Sequence, residues 1–192
     1  MRKLMMLVSC IAASAIAAPT SDVFYIYSEK GAPTNHFVPS GWMGDYGDLK
    51  LDDGSKDNPQ AGSTAIKWTY SAQARQGANW AGAFWQSPAN NWGEKAGGYD
   101  LTAYKRLTFW ARGAKGGETI STVKVGGIVG EHGDSDSQEM GPVILTKDWK
   151  KYTISLKDKT LTNIIGGFAW SASRDDNPDG FVIYFDEIRF EK

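Results

Sequence analysis

Alternation at period two, repeated in short runs, is the strongest constraint on this chain. Ile66, Trp68 and Tyr70 fall on one side of an extended segment, with Ala65, Lys67 and Thr69 on the other. Tyr152, Ile154 and Leu156 oppose Lys151, Thr153 and Ser155 in the same way. One apolar and one wet face per strand is what two antiparallel sheets packed face to face require. Such runs predict strands near Val23–Tyr27, Thr64–Tyr70, Trp80–Gln86, Arg106–Ala111, Thr122–Val129, Val143–Leu145, Lys151–Leu156, Ile164–Trp170 and Val182–Phe190. No amphipathic helix of three turns interrupts them. Eight Trp, eight Tyr, eight Phe and 22 Gly suit an all-β fold with wide turns. The expectation is one all-β antiparallel sandwich, because 192 residues bury a core without staples.

The first residues read as an export signal. Arg2 and Lys3 start it, Leu4 to Ile16 form the apolar run, and Ala13-Ser14-Ala15 or Ala15-Ile16-Ala17 offers the cleavage site. Residues 1–18 are therefore expected to be removed, leaving residues 19–192 as a single secreted or periplasmic domain. The run is too short for a membrane span. Leu7-Val8-Ser9-Cys10 resembles a lipoprotein box, but better cleavage sequence follows it. Cys10 is the only cysteine, so no disulfide is expected in the mature domain.

The formal charge of the whole chain is −1, and without Arg2 and Lys3 it falls to −3. No basic cluster is present, so a phosphate-backbone partner is not expected. His36 and His132 sit in separate loops, and the chain has no HExxH, GxSxG, P-loop or dinucleotide fingerprint. No residue is assigned a catalytic role.

The densest chemistry lies between Asn79 and Gly93, where Trp80, Trp85 and Trp92 stand among Gln86, Asn90 and Asn91. Sugar rings present apolar C–H patches that stack on indoles, and hydroxyls that need amide, guanidinium or carboxylate partners. Alternation places Trp80, Gly82, Phe84 and Gln86 on one face and Ala81, Ala83 and Trp85 on the other. At least one tryptophan must then be core, and Trp80 and Phe84 are assigned to it. The expected ligand-binding residues are Trp85, Gln86, Asn91, Trp92, Arg112 and Trp170. Arg112 could instead pair with a carboxylate, and Trp170 could instead be core.

The last strand carries an anomaly. Period two sets Asp186 in a row with Val182, Tyr184, Ile188 and Phe190. A carboxylate in an apolar row needs a counter-charge or a cation. The segment Glu29–Gly62 reads as a long polar loop rich in acids. Calcium, which takes several oxygen ligands, is expected at Asp186, with Glu29 and Asp52 from that loop; a salt bridge to Lys or Arg is the alternative. Asp134–Gly141 and Arg174–Gly180 read as turn-forming loops.

Several stretches resemble galactose-binding-domain-like jelly rolls. They are Gly98 to Thr102 with Leu107 to Gly113, Asp148 to Ile154, Gly166-Gly167-Phe168 and Tyr184 to Ile188. The nearest likeness is to non-catalytic carbohydrate-binding modules of bacterial glycan-degrading enzymes. The resemblance implies a sandwich with a glucan-binding cleft, and a structural calcium on the acid of the last strand. The chain departs from it in having no attached catalytic domain and in the length of the Glu29–Gly62 segment. The function expected is polysaccharide or oligosaccharide binding by a monomer. A structural or interaction protein of the envelope is the alternative, followed by a glycan hydrolase or lyase.

Overall fold

The computed structural model describes residues 21–192, so the expected export signal and Cys10 lie outside the described residues. Thirteen strands follow one another: β1 (Val23–Tyr27), β2 (Val38–Gly44), β3 (Leu49–Ser55), β4 (Ala65–Tyr70), β5 (Trp80–Gln86), β6 (Arg106–Gly113) and β7 (Thr119–Ile120). Then come β8 (Thr122–Gly126), β9 (Ser137–Met140), β10 (Val143–Ile144), β11 (Lys150–Ser155), β12 (Gly166–Ser173) and β13 (Phe181–Glu191). A single 3-10 turn, Tyr46–Asp48, joins β2 to β3.

Two antiparallel sheets result. One has the order β11-β6-β13-β4-β3, with β1 added on β13; the other runs β2-β5-β12-β8-β9. β7 and β10 pair as a small ribbon. The expected antiparallel sandwich is the fold observed. Among the described residues, no helix is long and apolar enough to cross a membrane.

The segment expected to be a long loop contains two strands. β2 pairs only with β5 and β3 only with β4, so each is a sheet edge. An edge strand tolerates proline and glycine, because one side of its backbone makes no ladder. Val38-Pro39-Ser40-Gly41-Trp42 therefore hides a strand behind loop-like composition. Asp134–Gly141 likewise includes β9, the opposite edge of the five-stranded sheet.

The core is a layer of interlocked aromatic rings between the sheets. Trp68 of β4 meets Trp170 of β12 at 5.3 Å and Trp85 of β5 at 6.1 Å between ring centroids. Phe168 meets Trp85, Phe109 and Phe185 edge-on at 5.2–5.5 Å. Such edge-to-face pairs add about 0.5–1.5 kcal/mol each beyond burial. Trp85 and Trp170 are each 1% exposed, so neither can stack on a ligand. The faces of β5 are as alternation divides them, but the assignment of inside and outside is reversed. Ala81 and Ala83 leave inner-layer room for Trp85, while Trp80 and Phe84 turn outward.

β13 also corrects an expectation. A bulge falls between Asp186 and Arg189 in its pairing with β6, and Glu187 sits at φ +48°. The extra residue shifts the phase of the strand. Ile183 and Phe185 point inward before it, and Ile188 and Phe190 after it, all fully buried in the core. Tyr184 and Asp186 thus face away from the core and lie under the chain of residues 57–61.

Candidate functional site

The outer face of the five-stranded sheet carries two exposed tryptophans, Trp80 and Trp92; Tyr46 and Trp42, also exposed, lie in the 3-10 turn and on the opposite face of β2. Register sets Met43, Gly82 and Ser171 side by side, and Thr122 beside Ser171. The next outward-facing row holds Gly41, Phe84, Ala169, Lys124 and Glu139. Trp80 stands at one end of this face and Trp92 at the other, each 40% exposed. Trp80 and Phe84, four residues apart on one strand, are separated by about 13 Å of backbone. Between them lies a groove of about 260 Å³ whose floor is Ala169, Trp170 and Ser171. Its polar lining is Thr122, Ser171, Lys124 and Glu139.

Phe84 is nearly buried although it points outward. It packs with Ile128, Ile165 and Ala169 in a second small apolar cluster, against which Met43 leans. Trp92 sits edge-on to it, and the Lys124 ammonium lies 5.5 Å from its ring centroid. The groove is therefore stiff at this end.

The loop that presents Trp92 is fixed from below by two of the expected site residues. Asn91 is fully buried: its Oδ1 accepts the N–H groups of Gly93 and Lys95, and its Nδ2 donates to the Lys95 carbonyl. Gln86, also fully buried, donates from Nε2 to the Asn91 carbonyl at 2.9 Å, and its Oε1 accepts from Ser40. Ser40 Oγ in turn accepts the Asn90 N–H. Gln86 and Asn91 thus position Trp92 from beneath and have no surface of their own for a ligand.

A second loop, residues 127–134, buttresses the first. His132 N–H donates to the Gly93 carbonyl, and a Cβ on Gly93 would lie 2.4 Å from the Val129 carbonyl oxygen. With φ at +93° that position needs glycine twice over. Asp134 locks this loop to the start of β12, accepting N–H bonds from Ile128, Ile165 and Gly166. Burial raises the Asp134 pKa, against the lowering effect of those bonds.

Arg112 belongs to the other sheet. Its guanidinium lies 3.7 Å from the Tyr184 ring centroid and 5.2 Å from that of Trp149, and donates to the Asp57 carbonyl at 2.7 Å. Trp149 donates to the Asn58 carbonyl, and Tyr184 donates to the Asp57 carboxylate. These contacts clamp residues 57–61 on the back of the molecule, away from the groove. Of the six expected ligand residues, Trp92 alone is exposed. Trp80 was misassigned, and its signal was present: it alternates with Gln86 and Phe84, opposite a face of two alanines.

The expected calcium ligands do not fit a cation. Asp186 Oδ2 accepts N–H bonds from Gln60 at 2.9 Å and Ala61 at 3.2 Å, and Oδ1 accepts from Glu187. Glu29 accepts from Ser63 N–H, Ser63 Oγ and Thr64 Oγ1. Asp52 accepts from Gly54 N–H in its own turn. The acid of the last strand is thus tied to the N-terminal segment, but through backbone donors, whose positive ends face the oxygens a cation would use. Among the described residues, no three His, Cys, Asp or Glu side chains gather as a ligand set.

No family model matches the chain, and no curated protein does. Solved structures do. The family 30 carbohydrate-binding module of the cellulosomal cellulase Cel9D-Cel44B of Clostridium thermocellum superposes with a TM-score of 0.59 at 16% identity, over 88% of this chain and 97% of that one. A second crystal structure of a family 30 module gives 0.58 at 15% identity, over 88% and 98%. A family 29 carbohydrate-binding module gives 0.50 at 11% identity, over 89% and 92%. The chain has the antiparallel β-sandwich, jelly-roll fold of carbohydrate-binding modules.

Proposed function

We propose that this chain is a secreted, non-catalytic carbohydrate-binding module that takes a polysaccharide on the outer face of its five-stranded sheet. The observation that carries the reading is a groove on that face with exposed Trp80 at one end and Phe84 at the other, and exposed Trp92 packed edge-on to Phe84 just beyond it. The fold likeness supports it, since the structures it shares its fold with are carbohydrate-binding modules. The two indoles serve as stacking platforms, and Ser171, Thr122, Lys124 and Glu139 of the groove supply hydrogen bonds to hydroxyls. Glu139 is the only carboxylate among the groove's described lining residues, whereas glycoside hydrolysis commonly runs on a facing pair. Secretion rests on the charged start, apolar run and small-residue site of residues 1–18.

Electrophoresis of the purified protein in gels containing soluble glucan, mannan or xylan tests the reading. Retardation by at least one polysaccharide, relieved by its oligosaccharides, is expected. Unchanged mobility in all three, with the protein folded, would favour an interaction protein built on the same sandwich.

A further inference from the structure

The groove on the outer face carries a charge with no partner among the described residues. β9 is the edge of its sheet, and register sets Val123 opposite Met140, Lys124 opposite Glu139, and Val125 opposite Gln138. Val123 and Val125 are fully buried in the core, so alternation turns Lys124 and Glu139 outward. The same row runs on through Ala169 to Phe84. Alanine is short, and Glu139 therefore stands as a wall of the groove beside a low stretch of sheet.

Lys124 is the cation that register sets beside Glu139, yet the two do not pair. The Lys124 ammonium lies 5.5 Å from the Phe84 ring centroid, and a Cβ added to Gly127 would come within 2.8 Å of it. The side chain thus leans toward the loop of residues 127–134, where its charge lowers the Asp134 pKa against the effect of burial. Glu139 is left exposed, with no side-chain hydrogen bond or ion pair among the described residues. The other charges nearby lie outside the groove's lining. Arg174 reaches Asn79 Oδ1 at 3.5 Å beyond Trp80, and Glu94, Lys95 and Glu131 sit on the two loops at the Trp92 end. The platforms themselves are fixed: Asp45 N–H donates to the Trp80 carbonyl at 2.7 Å, and Gln86 and Asn91 hold the loop of Trp92.

An ionised carboxylate only accepts hydrogen bonds. Its two oxygens suit a pair of adjacent hydroxyls on one sugar, and they repel a second carboxylate. A charge on an edge strand also guards that edge against pairing with another chain, but this role needs no place between aromatic platforms. We propose that Glu139 is the specificity-determining residue of the groove, accepting hydroxyl pairs from neutral sugars and turning away glycans that carry carboxylates. The proposal rests on the glycan reading and adds to it the charge class of the ligand.

Affinity electrophoresis in hydroxyethyl cellulose, glucomannan and arabinoxylan, each neutral and partly carboxymethylated, is the test. At low salt at least one neutral polymer should hold the protein about fivefold or more tightly than its carboxymethylated form, the scale of two like charges about 4 Å apart in water. Salt at about 1 M should narrow the difference, because it screens charge within about 3 Å. Glu139→Gln keeps the size of the side chain and should bring the two affinities together, and Glu139→Lys should reverse their order. Asp148, exposed in the turn before β11 on the other sheet, gives the control: Asp148→Asn removes the same charge at a distance and should leave the discrimination intact. Discrimination that is absent from the parent, unchanged in Glu139→Gln, or lost equally in Asp148→Asn overturns the proposal, while retention by a neutral polymer keeps the glycan reading standing. No retention by any neutral polymer brings down the glycan reading and this proposal together.

Discussion

The indole of Trp92 meets the ring of Phe84 edge to face, 6.3 Å apart between centroids and 89° between planes. Phe84 is thereby a plinth: it fills the space beneath Trp92 and leaves the upper surface of the indole to solvent. Trp80 has no such plinth, and its support comes from the backbone of the β2–β3 turn.

Trp80→Ala and Trp92→Ala should each weaken retention by a polysaccharide about tenfold or more, roughly 1.4 kcal/mol. Neither should lower the melting temperature much, since both side chains are already partly exposed. Affinity electrophoresis and thermal melts on the same samples separate the two effects. Loss of fold without loss of retention would remove these residues from the site.

Trp85→Ala and Trp170→Ala should behave in the opposite way. Each empties a large volume from the inter-sheet layer and should cost about 3–5 kcal/mol. Urea unfolding measures the loss, and binding at low temperature by the fraction still folded should be unaltered.

Arg112→Met should destabilise the protein by about 1–3 kcal/mol and leave glycan retention unchanged. Arg112→Lys should recover little of this, because an ammonium cannot stack between Tyr184 and Trp149 while bonding the Asp57 carbonyl. Protease cleavage within residues 56–62 should rise in both variants.

Stability should respond to acid in two opposed ways. Burial pushes Asp186 up to about 6, despite N–H bonds from Ala61, Glu187 and Gln60. The native state therefore holds that proton more tightly than the unfolded chain, and acidification from pH 6 to 4 stabilises the fold through this group, by at most about 3 kcal/mol. Glu191 runs the other way. Burial alone would raise it, but bonds from Arg189, Arg106, Lys151 and Thr108 hold it down to about 2. Its contribution is present above pH 4.5 and lost as pH falls toward 2. Asp186→Asn removes this titration while facing an amide N–H2 toward a backbone donor, so its stability relative to the parent should fall as pH drops from 7 to 4. Melts of both across that range check the slope.

The sandwich was legible because β4, inside its sheet, and β11, at the sheet's edge, alternate strictly. Two other edges were not: β2 and β3 read as loop, since Pro39, Gly41 and Asp52 are best tolerated where one side of a strand makes no ladder. On β5 the two faces were readable, but not which one turns inward. That choice depends on Trp68 and Trp170, distant in sequence, which interlock with Trp85. The bulge at Glu187 carries no sequence signal at all, and it reverses the side to which Asp186 points. Trp92 was readable because a tryptophan among asparagines and glycines has no apolar neighbours in its own loop to bury it.

β1 lies against the last residues of β13, with Val23 paired to Glu191 and Lys192 N–H donating to the Asp22 carbonyl. The first and last described residues therefore leave side by side from the sheet that does not carry the groove. A dye, a bead or a second protein attached at residue 192 would hold the molecule by its back, with Trp80 and Trp92 presented forward. Immobilised in that orientation, every copy on a surface would turn its groove outward, open along its whole length.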